Sequence, residues 1–257
     1  MLRRMILPSF LLLVAIPLAS SGDSPKARAP AALTATQIAD KDVAAKGGLG
    51  AWRAVQTMTY SGKMEAGGKQ NTQLPFVLQM KRPNKTRVEI EFQGDKAIQI
   101  YDGSKGWKFR PFLGRRDVEP YSADELQAAS MEPDLDGFLV DYTAKGTQVT
   151  LEGTEKVEGR DAYKLKLTMK SGRVRHLWVD AETFLDVKSE GTPRRMDGKM
   201  RPVEIYYRDY RSVNGLVVPY VLETAVQGVK KSHKMIIESV VVNPKLDDSL
   251  FAQLNPK

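Results

Sequence analysis

The 257-residue sequence contains no cysteine, which excludes disulfides, thiolate chemistry and a lipid anchor attached through a cysteine. Histidine is nearly as scarce, since His176 and His233 are the only side chains that titrate near neutrality in their unperturbed state. No HExxH, GxSxG, P-loop or dinucleotide-binding glycine fingerprint is present, so metallopeptidase, α/β-hydrolase and nucleotide-dependent chemistry lose their usual signatures. The residues read as a protein without catalytic machinery, cofactor or metal site. Long apolar runs are missing too. The longest, Met5 to Leu18, is short of the roughly 20 residues that a membrane span needs and is interrupted by Pro8 and Pro17.

That run follows Arg3 and Arg4 and precedes Ala19-Ser20-Ser21, the layout of a secretory signal over residues 1–21 cleaved near Ser21. A retained anchor is the competing reading. The expected location is the periplasm. Residues 22–35, rich in Ala and Pro, read as a flexible leader, and residues 36–257 as one folded domain. The formal charge of +8 falls to +6 when Arg3 and Arg4 leave. This suits transient contact with anionic lipid headgroups but is also ordinary for a soluble protein. Nucleic acid is a poor partner, because the basic residues are spread singly along the chain. Arg194, Arg195, Lys199 and Arg201 do cluster, in a Pro/Gly-containing stretch that reads as a solvated loop, with a partner-binding patch as the alternative.

Strict alternation dominates from Thr57 to Val242. Met58, Tyr60 and Met64 alternate with polar residues, as do Leu74, Phe76, Leu78 and Met80, and then Val88, Ile90 and Phe92. Glycine-containing turns separate these runs, including Asp102-Gly103, Glu158-Gly159 and Asn214-Gly215, and connections this short demand antiparallel strands. The expectation is about 11–12 strands in one sheet. Helical signals occur twice. Thr36 is a candidate N-cap for a helix ending at Gly47-Gly48, and Ser122 and Glu125 form a capping box ahead of Leu126 and Met131. Asp134 is a candidate cap for a further short helix through Phe138 and Leu139. Asp134 and Asp136 also look like a calcium-loop fragment, but the remaining ligands of such a loop are missing. His176 alternates with Val174 and Trp178 and reads as a hydrogen-bonded interior or rim residue rather than a general base. His233, among lysines, reads as solvated.

The order of several short motifs resembles the LolA-like outer-membrane lipoprotein-sorting family. They are GGLGAW, KRPNK at Lys81–Lys85, YDGSKGW at Tyr101–Trp107, RPF at Arg110–Phe112, VEGRDAYKLKLT with VDAET, DYRSVNGLVVP and NPKLDDSLF. The resemblance implies an incomplete, strongly curved antiparallel β-barrel with helices as a lid over an apolar cavity. It also implies a carrier for the acyl chains of lipoproteins or free lipid, passing them from an inner-membrane donor complex to an outer-membrane acceptor. The alternative within the family is an RseB-like sensor or scaffold in an envelope complex. In such proteins the arginine before the proline tethers the lid, which here is Arg82. The cavity-lining candidates are the alternating residues Met58, Tyr60, Met64, Leu74, Phe76, Leu78, Met80, Val88, Ile90 and Phe92, together with Trp107 at the hairpin, which reads first as a structural anchor. Leu126, Met131, Phe138 and Leu139 are the lid candidates. The sequence departs from the family pattern in its longer stretch from Gly191 to Met200 and its tyrosine-rich strand Val203–Arg211, which leaves the cargo open.

Overall fold

A computed structural model describes residues 32–66, 72–111 and 114–254. The signal over 1–21 and most of the leader lie outside the described residues.

Helix α1 (Ala35–Ala45) is capped by Thr34, not Thr36. Thr34 wins because Gln37 stands three residues on. The Thr34 hydroxyl accepts from the Gln37 amide while the Gln37 side chain accepts from the Thr34 amide, a closed capping box that Thr36 could not form. The cap and the first helical residue, Thr34 and Ala35, lie within the stretch 22–35 read as leader. Ile38, Ala39, Asp42 and Val43 form the buried stripe of α1, and the chain turns through Gly47 into α2 (Leu49–Ala54), which buries Trp52. Gly47 has φ +113°, and a Cβ there would stand 2.3 Å from the Gly215 carbonyl oxygen. Only glycine permits that approach, which lets Val217 donate to the Lys46 carbonyl and pins the helix end to the sheet.

The strands in chain order are β1 (Thr57–Glu65), β2 (Gln73–Lys81), β3 (Lys85–Phe92), β4 (Asp95–Tyr101), β5 (Gly106–Arg110) and β6 (Arg115–Pro120). After helix α3 (Ala123–Ala129) come β7 (Gln148–Val157), β8 (Arg160–Thr168), β9 (Val174–Asp180), β10 (Asp186–Glu190), β11 (Arg194–Met196), β12 (Lys199–Arg201), β13 (Val203–Val213), β14 (Leu216–Val226) and β15 (His233–Val242). Thirteen of them form one antiparallel sheet in the order β6-β5-β4-β3-β2-β1-β15-β14-β13-β10-β9-β8-β7, one or two more than expected. The edges β6 and β7 do not pair, so the barrel stays incomplete. The basic stretch 194–201 is not a loop but a separate two-stranded ribbon, β11–β12.

One face of the sheet carries the main core. Leu165, Leu167, Leu177 and Val179 of β8 and β9 are wholly buried, and they cluster with Ile38, Val43 and Trp52 of the helices and with Met58 and Phe76. Full burial of each such side chain stabilises the fold by about 1.5–3 kcal/mol. The opposite face of β3 is covered by the C-terminal 3-10 turn Asp248–Phe251, where Arg87 donates to the Leu250 carbonyl and Lys85 pairs with Asp248 at 2.9 Å.

Between β6 and β7 the chain crosses the core-bearing face. The Ser122–Glu125 capping box is formed at the start of α3. The expected second helix from Asp134 is absent: the segment is a succession of turns, because Gly137 (φ +78°) and Asp141 (φ +52°) take left-handed conformations that an α-helix cannot continue through.

Candidate functional site

Part of the core-bearing face is left open. A cavity of about 580 Å³, predominantly apolar in its lining, lies between the strands and the crossing segment. One wall comes from β1–β5. The register aligns Tyr60, Leu78, Val88, Gln99 and Lys108 in one row and Met58, Met80, Thr86, Tyr101 and Gly106 in the next, so these residues share a face. A second wall comes from Ile205 and Tyr207 of β13, Val218 and Leu222 of β14, and Met235 and Ile237 of β15. The cover is the crossing segment, with Tyr121, Ala128, Ala129, Pro133, Leu135 and Phe138 facing the space.

Of the candidates read from sequence, Tyr60, Leu78, Met80 and Val88 border the cavity. Met58 (0% exposed) and Phe76 (2%) share their face but are packed into the core. Met64 and Ile90 pack against that core without lining the cavity, and Leu74 and Phe92 also lie outside its lining. Trp107 is on the other face, because Lys108 and Arg110, which alternate with it along β5, border the cavity. The structural importance of YDGSKGW rests instead on Gly106. A Cβ there would sit 2.2 Å from the Tyr121 ring, so the missing side chain makes room for Tyr121, whose amide donates to the Gly106 carbonyl. Among the lid candidates, Phe138 lines the cavity, Leu139 turns into the core at 2% exposure, and Leu126 and Met131 are half-buried away from it.

The crossing segment is held by charged contacts on several sides. Arg82, in the β2–β3 turn, donates from Nη1 to Asp134 at 3.0 Å and from Nη2 to Asp136 at 2.7 Å. The same guanidinium donates to the carbonyls of Val55 (2.8 Å) and Trp52 (3.2 Å). Lys145 also holds Asp136, and Arg53 forms a fork with Asp141. At the other end Lys108 pairs with Glu125, and Thr192 donates to Glu132 at 2.8 Å.

A polar patch interrupts the apolar wall. Lys46, at the end of α1, lies between Asp42 and Asp186. Its Nζ donates to Asp186 and stands 2.9 Å from Asp42 Oδ2 without hydrogen-bond alignment. Burial first, and the nearby Asp186 charge second, raise Asp42 well above the usual carboxylate range, outweighing the attraction of Lys46. Lys46 is buried at a cost to its charge, but its two carboxylate neighbours raise it overall, so it stays an ammonium. Beside it Tyr207, pushed up to about 12 by burial, shares a hydrogen bond with Ser189 at 2.8 Å, and Tyr210 donates to the Asp186 carbonyl. His176 stands between Glu152 (3.2 Å) and Glu190 (3.0 Å) and does not line the cavity. Among the described residues no cluster of three or more His, Cys, Asp or Glu could hold a metal ion.

The architecture has solved counterparts. A LolA superfamily protein from Nitrosomonas europaea superposes with a TM-score of 0.56 at 16% identity, covering 86% of this chain and 99% of that one. The fold is LolA-like. An outer-membrane lipoprotein-sorting protein domain from Vibrio parahaemolyticus shares it (TM-score 0.55, 13% identity, 84% and 95% covered). So does a DUF1329 family protein from Desulfovibrio piger (TM-score 0.56, 16% identity, 85% and 97% covered). A family model described as an uncharacterized protein matches residues 131–255, which on this LolA-like frame run from the cover to the C-terminal turn. No curated protein matches the sequence.

Proposed function

We propose that this protein is a non-enzymatic periplasmic carrier that shelters the acyl chains of a lipoprotein or lipid and hands them onward. The observation that carries the reading is the covered apolar hollow itself. Around Leu165, Leu167, Leu177 and Val179 this face of the sheet is filled by side chains, yet between β1–β5, β13–β15 and the crossing segment some 580 Å³ stays open, within the range of about 300–1,000 Å³ usual for ligand sites. Each methylene moved from water into such a space contributes about 0.8 kcal/mol, so a sixteen-carbon chain gains on the order of 10 kcal/mol. No titratable group is needed for that. The charged groups around the space are engaged with one another, which favours holding a ligand over transforming one. Met80 and Met235 supply flexible surface that adapts to different chains.

In this reading Arg82 is the tether of the cover, and the segment from Tyr121 to Phe138 swings to admit cargo. The leader with its signal pattern accounts for export. No helix among the described residues is long and apolar enough to cross a membrane.

Filling the hollow tests the reading. Val88→Trp and Leu222→Trp, on opposite walls, are each expected to weaken binding of a fluorescent eighteen-carbon polyene fatty acid. Excluding even two methylenes lowers affinity by about tenfold. The same substitution at exposed Lys96 is expected to leave binding unchanged. Unaltered binding in both cavity variants would place the chain elsewhere and defeat the proposal.

A further inference from the structure

The ribbon β11–β12 is a second site of interest. Its turn, Asp197-Gly198, has both residues in left-handed conformations (φ +49° and +76°), the geometry of a two-residue hairpin that projects a twisted ribbon. It makes no ladder with the thirteen-stranded sheet. Every residue from Pro193 to Met200 is exposed. Met200 is 57% and Met196 36% exposed, although a soluble ribbon gains nothing from presenting methionine to water.

Cations surround these methionines. Arg195 pairs across the ribbon with Met200, and Met196 with Lys199, so each face of the ribbon combines a thioether side chain with a positive charge. Among the described residues Arg194, Arg195 and Lys199 form no ion pair, and Asp197 is the ribbon's only acid. Arg201 donates to the Gln227 carbonyl, in a turn that adds the exposed Lys230 and Lys231.

We propose that this ribbon docks the protein on an anionic phospholipid surface, its methionines entering the boundary between headgroups and acyl chains while the cations meet phosphates. Charge alone would suit any polyanion. The exposed methionines select a partner that offers both negative charge and an apolar layer beneath it, and a bilayer interface offers both. The ribbon's root touches the cover of the cavity: Thr192 donates to Glu132 and accepts from Arg175 at 3.0 Å, and Glu132 and Arg175 both border the cavity. Docking there sets the end of the cover against the membrane.

Vesicle flotation of the purified protein tests this, comparing phosphatidylcholine alone with phosphatidylcholine containing about one third phosphatidylglycerol. Binding is expected to the anionic vesicles only and to fall with added salt. Each cation near an anionic surface strengthens binding roughly fivefold, so Arg194→Ser with Arg195→Ser and Lys199→Ser is expected to weaken it about a hundredfold. Met196→Ser with Met200→Ser is expected to weaken it about tenfold and keep the salt dependence. All five positions are exposed, and circular dichroism checks that the sheet is retained. Equal binding to neutral vesicles, no vesicle binding at all, or binding indifferent to both sets of substitutions overturns the proposal, including where an acidic protein is found to bind instead. The cavity's acyl content is expected to be unchanged in these variants. An empty cavity beside intact vesicle binding would end the carrier reading and leave this one standing.

Discussion

Lys46→Met is expected to destabilise the fold by about 3–5 kcal/mol, the usual effect of removing one partner from a buried ionic group. The side chain is 8% exposed, Asp42 is fully buried and Asp186 is 14% exposed, so without the ammonium two carboxylates face each other next to an apolar cavity. For a chain of this size the melting temperature is expected to fall by roughly 10 °C or more. Combining Lys46→Met with Asp42→Asn is expected to recover a large part of the loss, which simple loss of packing would not allow. The triad also sets a pH dependence. Because Asp42 is raised in the folded state, its contribution is fully present below the unfolded carboxylate value and is lost as pH rises through the higher folded value. Asp42→Asn is expected to flatten that decline in urea unfolding measured from acid to neutral pH. A decline as steep as in the wild type would show that Asp42 is not the group responsible.

The second large effect is local. Arg82→Leu removes the donor to two carboxylates and two carbonyls at once, and Asp136, 2% exposed, keeps only Lys145. Hydrogen bonds to charged groups contribute about 1.5–3 kcal/mol each, and some of that is restored by water at the exposed edge. The expected net loss is about 2–3 kcal/mol confined to the cover, read as a 30- to 150-fold rise in amide exchange across residues 133–146. Exchange in β8 and β9 is expected to stay slow. Acyl cargo is expected to leave faster. Arg82→Lys keeps the charge but not the fork, and is expected to restore less than half of the protection. Unchanged exchange over 133–146 would mean that the cover is held without Arg82.

Much of the sheet was legible because period-two alternation is a local signal: β1, β2 and β3 read directly from Met58–Met64, Leu74–Met80 and Val88–Phe92. The short strands were not legible. β10 has five residues, and β11 and β12 three each, too few to show a period, which is why the strand count was low and the ribbon read as a loop. Whether a residue lines the cavity or fills the core is a tertiary matter. Met58 and Met80 are cross-strand partners on one face, and only the placement of the helices over Met58 separates them. That Met235 and Ile237 of β15 border the same cavity as Leu78 and Val88 is likewise a tertiary matter. The face that Trp107 takes shows only once Lys108, beside it on β5, is seen to border the cavity. Asp42 and Lys46 look like an ordinary surface pair four residues apart until Asp186, 140 residues further on, closes the triad from the sheet.

The central claim is that the hollow holds hydrocarbon. Native mass spectrometry of the protein purified from its host, followed by organic extraction, tests it most directly. The account predicts a bound mass that extracts as an acylated lipid or lipopeptide and that is depleted in Val88→Trp and Leu222→Trp. A protein that carries no lipid from its host and takes none up when offered fatty acid or lipoprotein would contradict it.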